Sequence, residues 1–260
     1  MTGTTGTVGE LGEIALIAAI TARLGTTGAV LLGPGDDAAV IAAPDARVVA
    51  TIDLLVEGRH FKRDWSGAAV AGGDLVRGEV VTIAVTALGA LEGREPVTRA
   101  GARPGDLVAV AGRLGWAAGG LAVLSRGFRS PRALVEAYRR PVPPYDEGPR
   151  AAVLGATAMV DVSDGLVSDL GHLARASAVT VRLDSEAFHV PTEFRDTARA
   201  LAADPVQWLL AGGEDHALAA TFPPDVDLPM AWSVVGRVEA GEGVLVNGAE
   251  WAGPGGWRTF

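Results

Sequence analysis

Five short stretches of this sequence set carboxylates beside glycine or a hydroxyl residue, each at the end of an apolar run. They are Gly35-Asp36-Asp37, Thr51-Ile52-Asp53, Gly72-Gly73-Asp74, Asp161-Val162-Ser163-Asp164 and Gly212-Gly213-Glu214-Asp215. Mg²⁺ is a hard cation that takes oxygen ligands, commonly a few carboxylates plus substrate phosphates. A glycine beside such a ligand lets backbone N–H groups approach a phosphate closely. The chemistry suggested is therefore phosphate handling through metal ions. Each piece also has a plainer reading. Gly-Asp pairs favour turns, and Ser-Asp before a helix favours a cap. The residues alone leave both readings open.

Other phosphate and metal signatures are missing. There is no GxxxxGK[ST] loop, and Gly112-Arg113-Leu114-Gly115 with Gly119-Gly120 does not match a dinucleotide fingerprint. His60, His172, His189 and His216 lack metal-ligand spacing, and His172 reads as a surface or packed residue. With 22 basic and 31 acidic residues the formal charge is −9, which argues against nucleic acid as a partner. The chain has no cysteine, which excludes disulfides and thiolate zinc sites and suits a cytoplasmic protein. The N-terminus has no signal-like pattern, and no apolar run is long enough for a membrane span.

The elements that must position these residues follow from periodicity and punctuation. Glu10–Leu24 reads as a helix stopped by Gly25. Strands are predicted at Arg47–Asp53, Glu79–Leu88, Leu107–Ala111, Met159–Val162, Val179–Leu183, Ala217–Thr221 and Trp232–Val238. Helices are predicted at Gly119–Ser125, Pro131–Arg139, Glu147–Leu154 and Leu166–Ala176, the last capped by Ser163-Asp164. Gly101–Asp106 reads as a turn, and Asn247-Gly248 as a tight hairpin turn. Strands and helices mix throughout, so the class is α/β or α+β.

In this order the motifs resemble one family. Gly33-Pro34-Gly35-Asp36-Asp37-Ala38, Leu55-Val56-Glu57-Gly58-Arg59-His60-Phe61, Gly72-Gly73-Asp74, Thr98–Asp106, Asp161-Val162-Ser163-Asp164-Gly165-Leu166, Gly212-Gly213-Glu214-Asp215 and the terminal Gly256-Trp257 are similar to thiamine-monophosphate kinases. That family lies in the aminoimidazole ribonucleotide synthetase-like superfamily. The resemblance implies a two-domain fold, with an ATP/Mg-binding domain over 1–96 and a C-terminal domain over 97–260. It implies phosphorylation of thiamine monophosphate by ATP, several Mg²⁺ ions and a homodimer. Metal ligands would be Asp37, Thr51, Ile52 (through its backbone), Asp53, Asp74, Asp161 and Asp164. ATP contacts would be Gly73, Asp74, Arg99 and Ser163, and substrate contacts His60, Glu214 and Trp257. Trp257 would stack on a ring of the substrate.

The chain departs from the family in one interval, and to a smaller extent at Arg258-Thr259, where an acidic residue and a histidine are usual before the final phenylalanine. His60 and Asp74 are 14 positions apart here. The family interval is longer, carrying an Asn-Leu-Ser-Asp-type motif, a helix, a strand and a second helix. That motif is absent between Phe61 and Gly72, where Asp64-Trp65-Ser66 runs directly into Gly67-Ala68-Ala69-Val70-Ala71. Two further readings therefore stand beside the kinase: a catalytically impaired protein that binds nucleotide or thiamine phosphate, and another ATP-using enzyme of the superfamily. Selenophosphate synthetase and the hydrogenase maturation dehydratase both need cysteines that this chain lacks.

Overall fold

The computed structural model describes the backbone of four N-terminal strands, residue 91, and residues 93–253. The chain divides into two compact units, 1–95 and 96–260. In the first, β1 (Val30–Leu32) pairs antiparallel with β2 (Val40–Ile41). β3 (Val49–Val56) pairs antiparallel with β4 (Thr82–Gly89) over their whole length, from Val49 opposite Gly89 to Val56 opposite Thr82. The helix expected at Glu10–Leu24 lies outside the described residues.

The second unit is a seven-stranded mixed sheet with helices. Its elements in chain order are β5 (Leu107–Ala111), α1 (Trp116–Ser125), α2 (Arg132–Arg139), α3 (Glu147–Val153), β6 (Ala158–Val162), α4 (Leu166–Ser177) and β7 (Val179–Leu183). A 3₁₀ turn at Ser185–Ala187 leads to α5 (Thr192–Ala200) and α6 (Pro205–Ala211). β8 (Ala217–Phe222), β9 (Trp232–Ala240), β10 (Gly243–Val246) and β11 (Ala249–Glu250) close the unit. The order across the sheet is β11-β10-β7-β9-β5-β8-β6, with β10 and β7 parallel and the other neighbours antiparallel.

The central strand β5 shows why the sheet is buried on both faces. Its alternation sends Val108 and Val110 into one cluster with Leu166, Leu170, Leu173, Phe194 and Leu210. Ala109 and Ala111 face a second, smaller cluster with Ala220, Phe222, Trp232 and Ala151 of α3. Small alanines leave room there for Trp232, whose ring meets Phe222 edge-on at 5.1 Å. The Trp232 indole N–H donates to Glu147 Oε2 at 2.8 Å, and Glu147 also pairs with Arg150. A buried carboxylate thus has its partners in place.

Asn247 and Gly248 both take positive φ (53° and 82°), the conformation of the tight hairpin turn expected for that dipeptide. Sequence periodicity misses α5 and α6. Their starts are nonetheless marked in the sequence. The Asp204 carboxylate accepts from the Val206 N–H at 2.9 Å, and Pro205 stands at the first helical position. Among the described residues, no helix is long and apolar enough to cross a membrane.

Candidate functional site

Two acidic loops meet at one end of the sheet. β6 and β8 are antiparallel neighbours, with Val162 opposite Ala217. The end of β6 is thereby set beside the start of β8. The pairing continues past the strands: the Glu214 N–H donates to the Ser163 carbonyl at 2.8 Å, and the His216 N–H to Val162 at 3.1 Å. This brings Ser163 and Asp164 next to Glu214, with Asp161 at the open edge of β6.

Glycines permit the approach. A Cβ on Gly213 would stand 2.2 Å from the Ser163 carbonyl oxygen, and one on Gly165, at φ +124°, 2.8 Å from Ala211 backbone atoms. Glu214 and His216 also sit in the left-handed region, at φ 69° and 52°. For residues other than glycine this costs on the order of 1–3 kcal/mol each, and such strain clusters at functional sites.

The N-terminus of α4 is arranged differently from the expectation. Neither Ser163 nor Asp164 caps it; the N-cap is Gly165, which has no side chain to offer. Instead Asp169, one turn into the helix, reaches back. Its Oδ2 accepts the N–H groups of Ser163 and Asp164 at 3.0 Å and of Gly165 at 3.1 Å. These N–H groups are therefore not presented to a phosphate, as the glycine-rich setting had suggested. Burial pushes the Asp169 carboxyl up to about 6, against the three hydrogen bonds, and the charges of Asp164 and Asp161 push the same way.

Asp215 has an equally structural task. It is buried, and its Oδ1 accepts the Ala117 N–H at 2.9 Å, fixing the start of α1 from 98 residues away. Its Oδ2 is buried with no partner. Burial raises its carboxyl to about 7, opposed by the backbone N–H groups at the start of α1 and by the Arg113 charge. Arg113 itself lies over the Trp116 ring at 5.1 Å. Sequence reading assigned no role to Asp169 or Arg113, and counted Asp215 among the carboxylates of a metal–phosphate stretch, whereas the structure turns it inward. An acid in the first turn of a helix was the available clue for Asp169.

The Ser177 hydroxyl donates to the Arg99 carbonyl at 3.0 Å, and the Thr98 carbonyl accepts the Met159 N–H at 2.9 Å. The Arg99 backbone thus lies beside the last residue of α4 and the edge of β6, with Asp161 two residues along that strand from Met159. Thr51, Ile52 and Asp53 lie within β3, opposite Ala87, Thr86 and Val85. Asp53 is thus inside its strand and not at the strand end that the sequence suggested. Asp37, His60, Gly73, Asp74 and Trp257 lie outside the described residues. Among the described residues, no three acidic or histidine side chains form a metal-holding group. Asp161 and Asp164 supply oxygen donors of the kind Mg²⁺ takes, and their charges already act on Asp169.

No family model matches the chain. Comparison with curated proteins finds the thiamine-monophosphate kinase of Mycobacterium tuberculosis (strain ATCC 25618 / H37Rv), 38% identical over 289 residues, covering 89% of this chain and 86% of the relative. The thiamine-monophosphate kinase of Corynebacterium glutamicum is 33% identical, covering 87% and 88%. Among solved structures, a thiamine-monophosphate kinase from Stenotrophomonas maltophilia K279a superposes with a TM-score of 0.72 at 28% identity, covering 90% of this chain and 95% of the other. AaThiL complexed with AMPPCP and TMP gives 0.73 at 29% identity, covering 99% and 100%. The 289 aligned positions of the mycobacterial protein outnumber the 260 residues of this chain, so that relative carries internal residues with no counterpart here.

Proposed function

The chain belongs to the thiamine-monophosphate kinase family, and from that premise we propose that it transfers the γ-phosphoryl group of ATP to thiamine monophosphate, giving thiamine diphosphate and ADP. The observation that carries the reading to this chain's own residues is the joining of the two acidic loops through Glu214 and Ser163.

The acceptor is a phosphate monoester, ionised at neutral pH, so no strong base is required of the protein. One of its oxygens attacks the γ-phosphorus in line. A P–O bond forms there as the bond to the β-phosphate oxygen breaks, and ADP leaves with the electron pair. The protein's work is alignment and charge neutralisation. Asp161 and Asp164 in the second unit are assigned to Mg²⁺, and so are Asp37, Thr51, Asp53, Asp74 and the Ile52 carbonyl in the first. When bound it neutralises phosphate charge. Ser163, Gly73, Asp74 and Arg99 are assigned to ATP; His60, Glu214 and Trp257 to thiamine monophosphate.

In this reading 1–96 is the ATP/Mg-binding domain and 97–260 the C-terminal domain, two copies of the chain form a homodimer, and the location is cytoplasmic. The residues absent relative to the family fall between Phe61 and Gly72. The test is direct. The full-length chain with Mg-ATP and thiamine monophosphate should form thiamine diphosphate, read by phosphorus NMR. Binding of ADP and thiamine monophosphate by calorimetry without turnover would leave a binding protein and sink the kinase.

A further inference from the structure

Arg99 lies in a segment of the second unit whose backbone is held at almost every residue. The Thr98 carbonyl accepts the Met159 N–H at 2.9 Å, and the Thr98 hydroxyl donates to the Ala100 carbonyl at 3.0 Å. Gly101, at φ +130°, runs so close to the chain entering β6 that a Cβ there would collide with the Thr157 carbonyl oxygen. Ala102 is buried in the larger core cluster. At the far end the buried Asp106 accepts the Arg103 N–H at 2.9 Å and the Thr157 hydroxyl at 2.6 Å.

One hydroxyl gathers the middle of this segment. Ser177, the last residue of α4, donates to the Arg99 carbonyl at 3.0 Å. It accepts the N–H groups of Gly101 at 3.1 Å and Ala102 at 3.2 Å. A serine hydroxyl has one donor and two acceptor positions, so its whole capacity goes to this one stretch of backbone. The Arg99 side chain is treated in the opposite way. It is exposed, and among the described residues its guanidinium has no partner. A tethered backbone under a free guanidinium suits anion capture. The fork keeps its donors vacant for phosphate oxygens, and its base needs no ordering when the ligand arrives.

Resting on the assignment of Arg99 to ATP above, we propose that Ser177 is a positioning residue for that arginine: its hydroxyl sets the backbone from which the Arg99 guanidinium reaches the ATP phosphates. Ser177 touches no substrate and acts through Arg99. α4 then serves the nucleotide from both ends, since Asp169 in its first turn shapes the loop of Ser163 and Asp164.

The experiment uses four full-length chains: the parent, Ser177→Ala, Arg99→Ala and the double variant. Calorimetry with Mg²⁺ and the β,γ-methylene analogue of ATP reads binding, and turnover reads the two KM values. Ser177→Ala should weaken the analogue and raise KM for ATP about fivefold, the middle of the range for a lost hydrogen bond. KM for thiamine monophosphate should not move. In the Arg99→Ala background Ser177→Ala should add nothing, because the side chain it positions is gone. Ser177→Thr keeps the hydroxyl and should bind the analogue as the parent does. Thermal melts establish that the compared variants are folded. Equal weakening by Ser177→Ala with and without the guanidinium, a rise in both KM values alike, or no change in analogue binding overturns the proposal. The two readings separate cleanly. Analogue binding weakened by Ser177→Ala only where Arg99 is present, in a chain that makes no thiamine diphosphate, keeps Ser177 in its role and removes the kinase. Turnover whose KM for ATP ignores Ser177→Ala does the reverse.

Discussion

The backbone N–H of Glu214 meets the carbonyl of Ser163 at 2.8 Å, and this one bond joins loops that are 51 residues apart in the sequence. Gly213 makes it possible, because no larger residue fits against Ser163. Gly213→Ala should force the loops apart. The expected cost is roughly 2–4 kcal/mol of stability by urea unfolding, in the range for backbone clash and lost bonds. Activity should fall further than stability does, since Glu214 moves with the loop.

Asp169 holds three N–H groups at the start of α4. Asp169→Ala should cost roughly 3 kcal/mol, because those donors lose a charged acceptor inside the fold. Asp169→Asn keeps an acceptor oxygen and should cost less. Thermal melts of the two variants beside the parent check the order.

Asp215 makes stability depend on pH. Its folded value, about 7, lies above its ordinary 3.8. Between these values the native state binds more protons than the unfolded state, so this group's contribution falls as pH rises from about 4 to about 7. Below that window it is without effect; above it the full cost is present. Asp215→Asn removes the dependence. Relative to the parent, the variant should gain roughly 2–3 kcal/mol between pH 5 and pH 8 in urea unfolding. A constant difference across that range would contradict the assignment.

Trp232 packs in the second cluster and its indole N–H is bonded to Glu147. Trp232→Phe leaves Glu147 short of a buried donor and opens a void. A loss of roughly 2–3 kcal/mol is expected, with kcat unaltered at a temperature where the variant is folded.

Asp161 and Asp164 are assigned to Mg²⁺. Asp164→Asn should raise the Mg²⁺ concentration needed for half-maximal turnover and lower kcat/KM on the order of a hundredfold, the scale of a lost metal contact. Turnover titrated with Mg²⁺ at saturating ATP reads both.

Much of this fold was legible from the residues. Leu107–Ala111 and Val179–Leu183 are strands with the bounds that Val/Ala and Val/Thr patterning suggested. The Asn247-Gly248 turn followed from its conformational preference. α1 begins earlier than expected, at Trp116, because its first turn is completed by Asp215, a partner that local periodicity does not see. α5 escaped notice because its buried stripe is only Phe194, Thr197 and Ala198. At the site, Asp161, Ser163, Asp164 and Glu214 were singled out by type and neighbours, and the sheet register sets them together. What each acid does depends on burial and on which N–H it meets. That separates Asp215, turned inward, from Glu214, turned out, although the two are adjacent.

Asp169 has one more consequence. Many phosphate-binding proteins leave the amides before a helix vacant, and stray sulfate or inorganic phosphate settles there. Here a resident carboxylate already occupies them. Free phosphate should find no foothold at this loop, and ionic competitors should act only where cations have assembled first. In the proposed reaction, selectivity for metal-complexed phosphate over bare anion would then rest on the helix itself, five residues beyond Asp164.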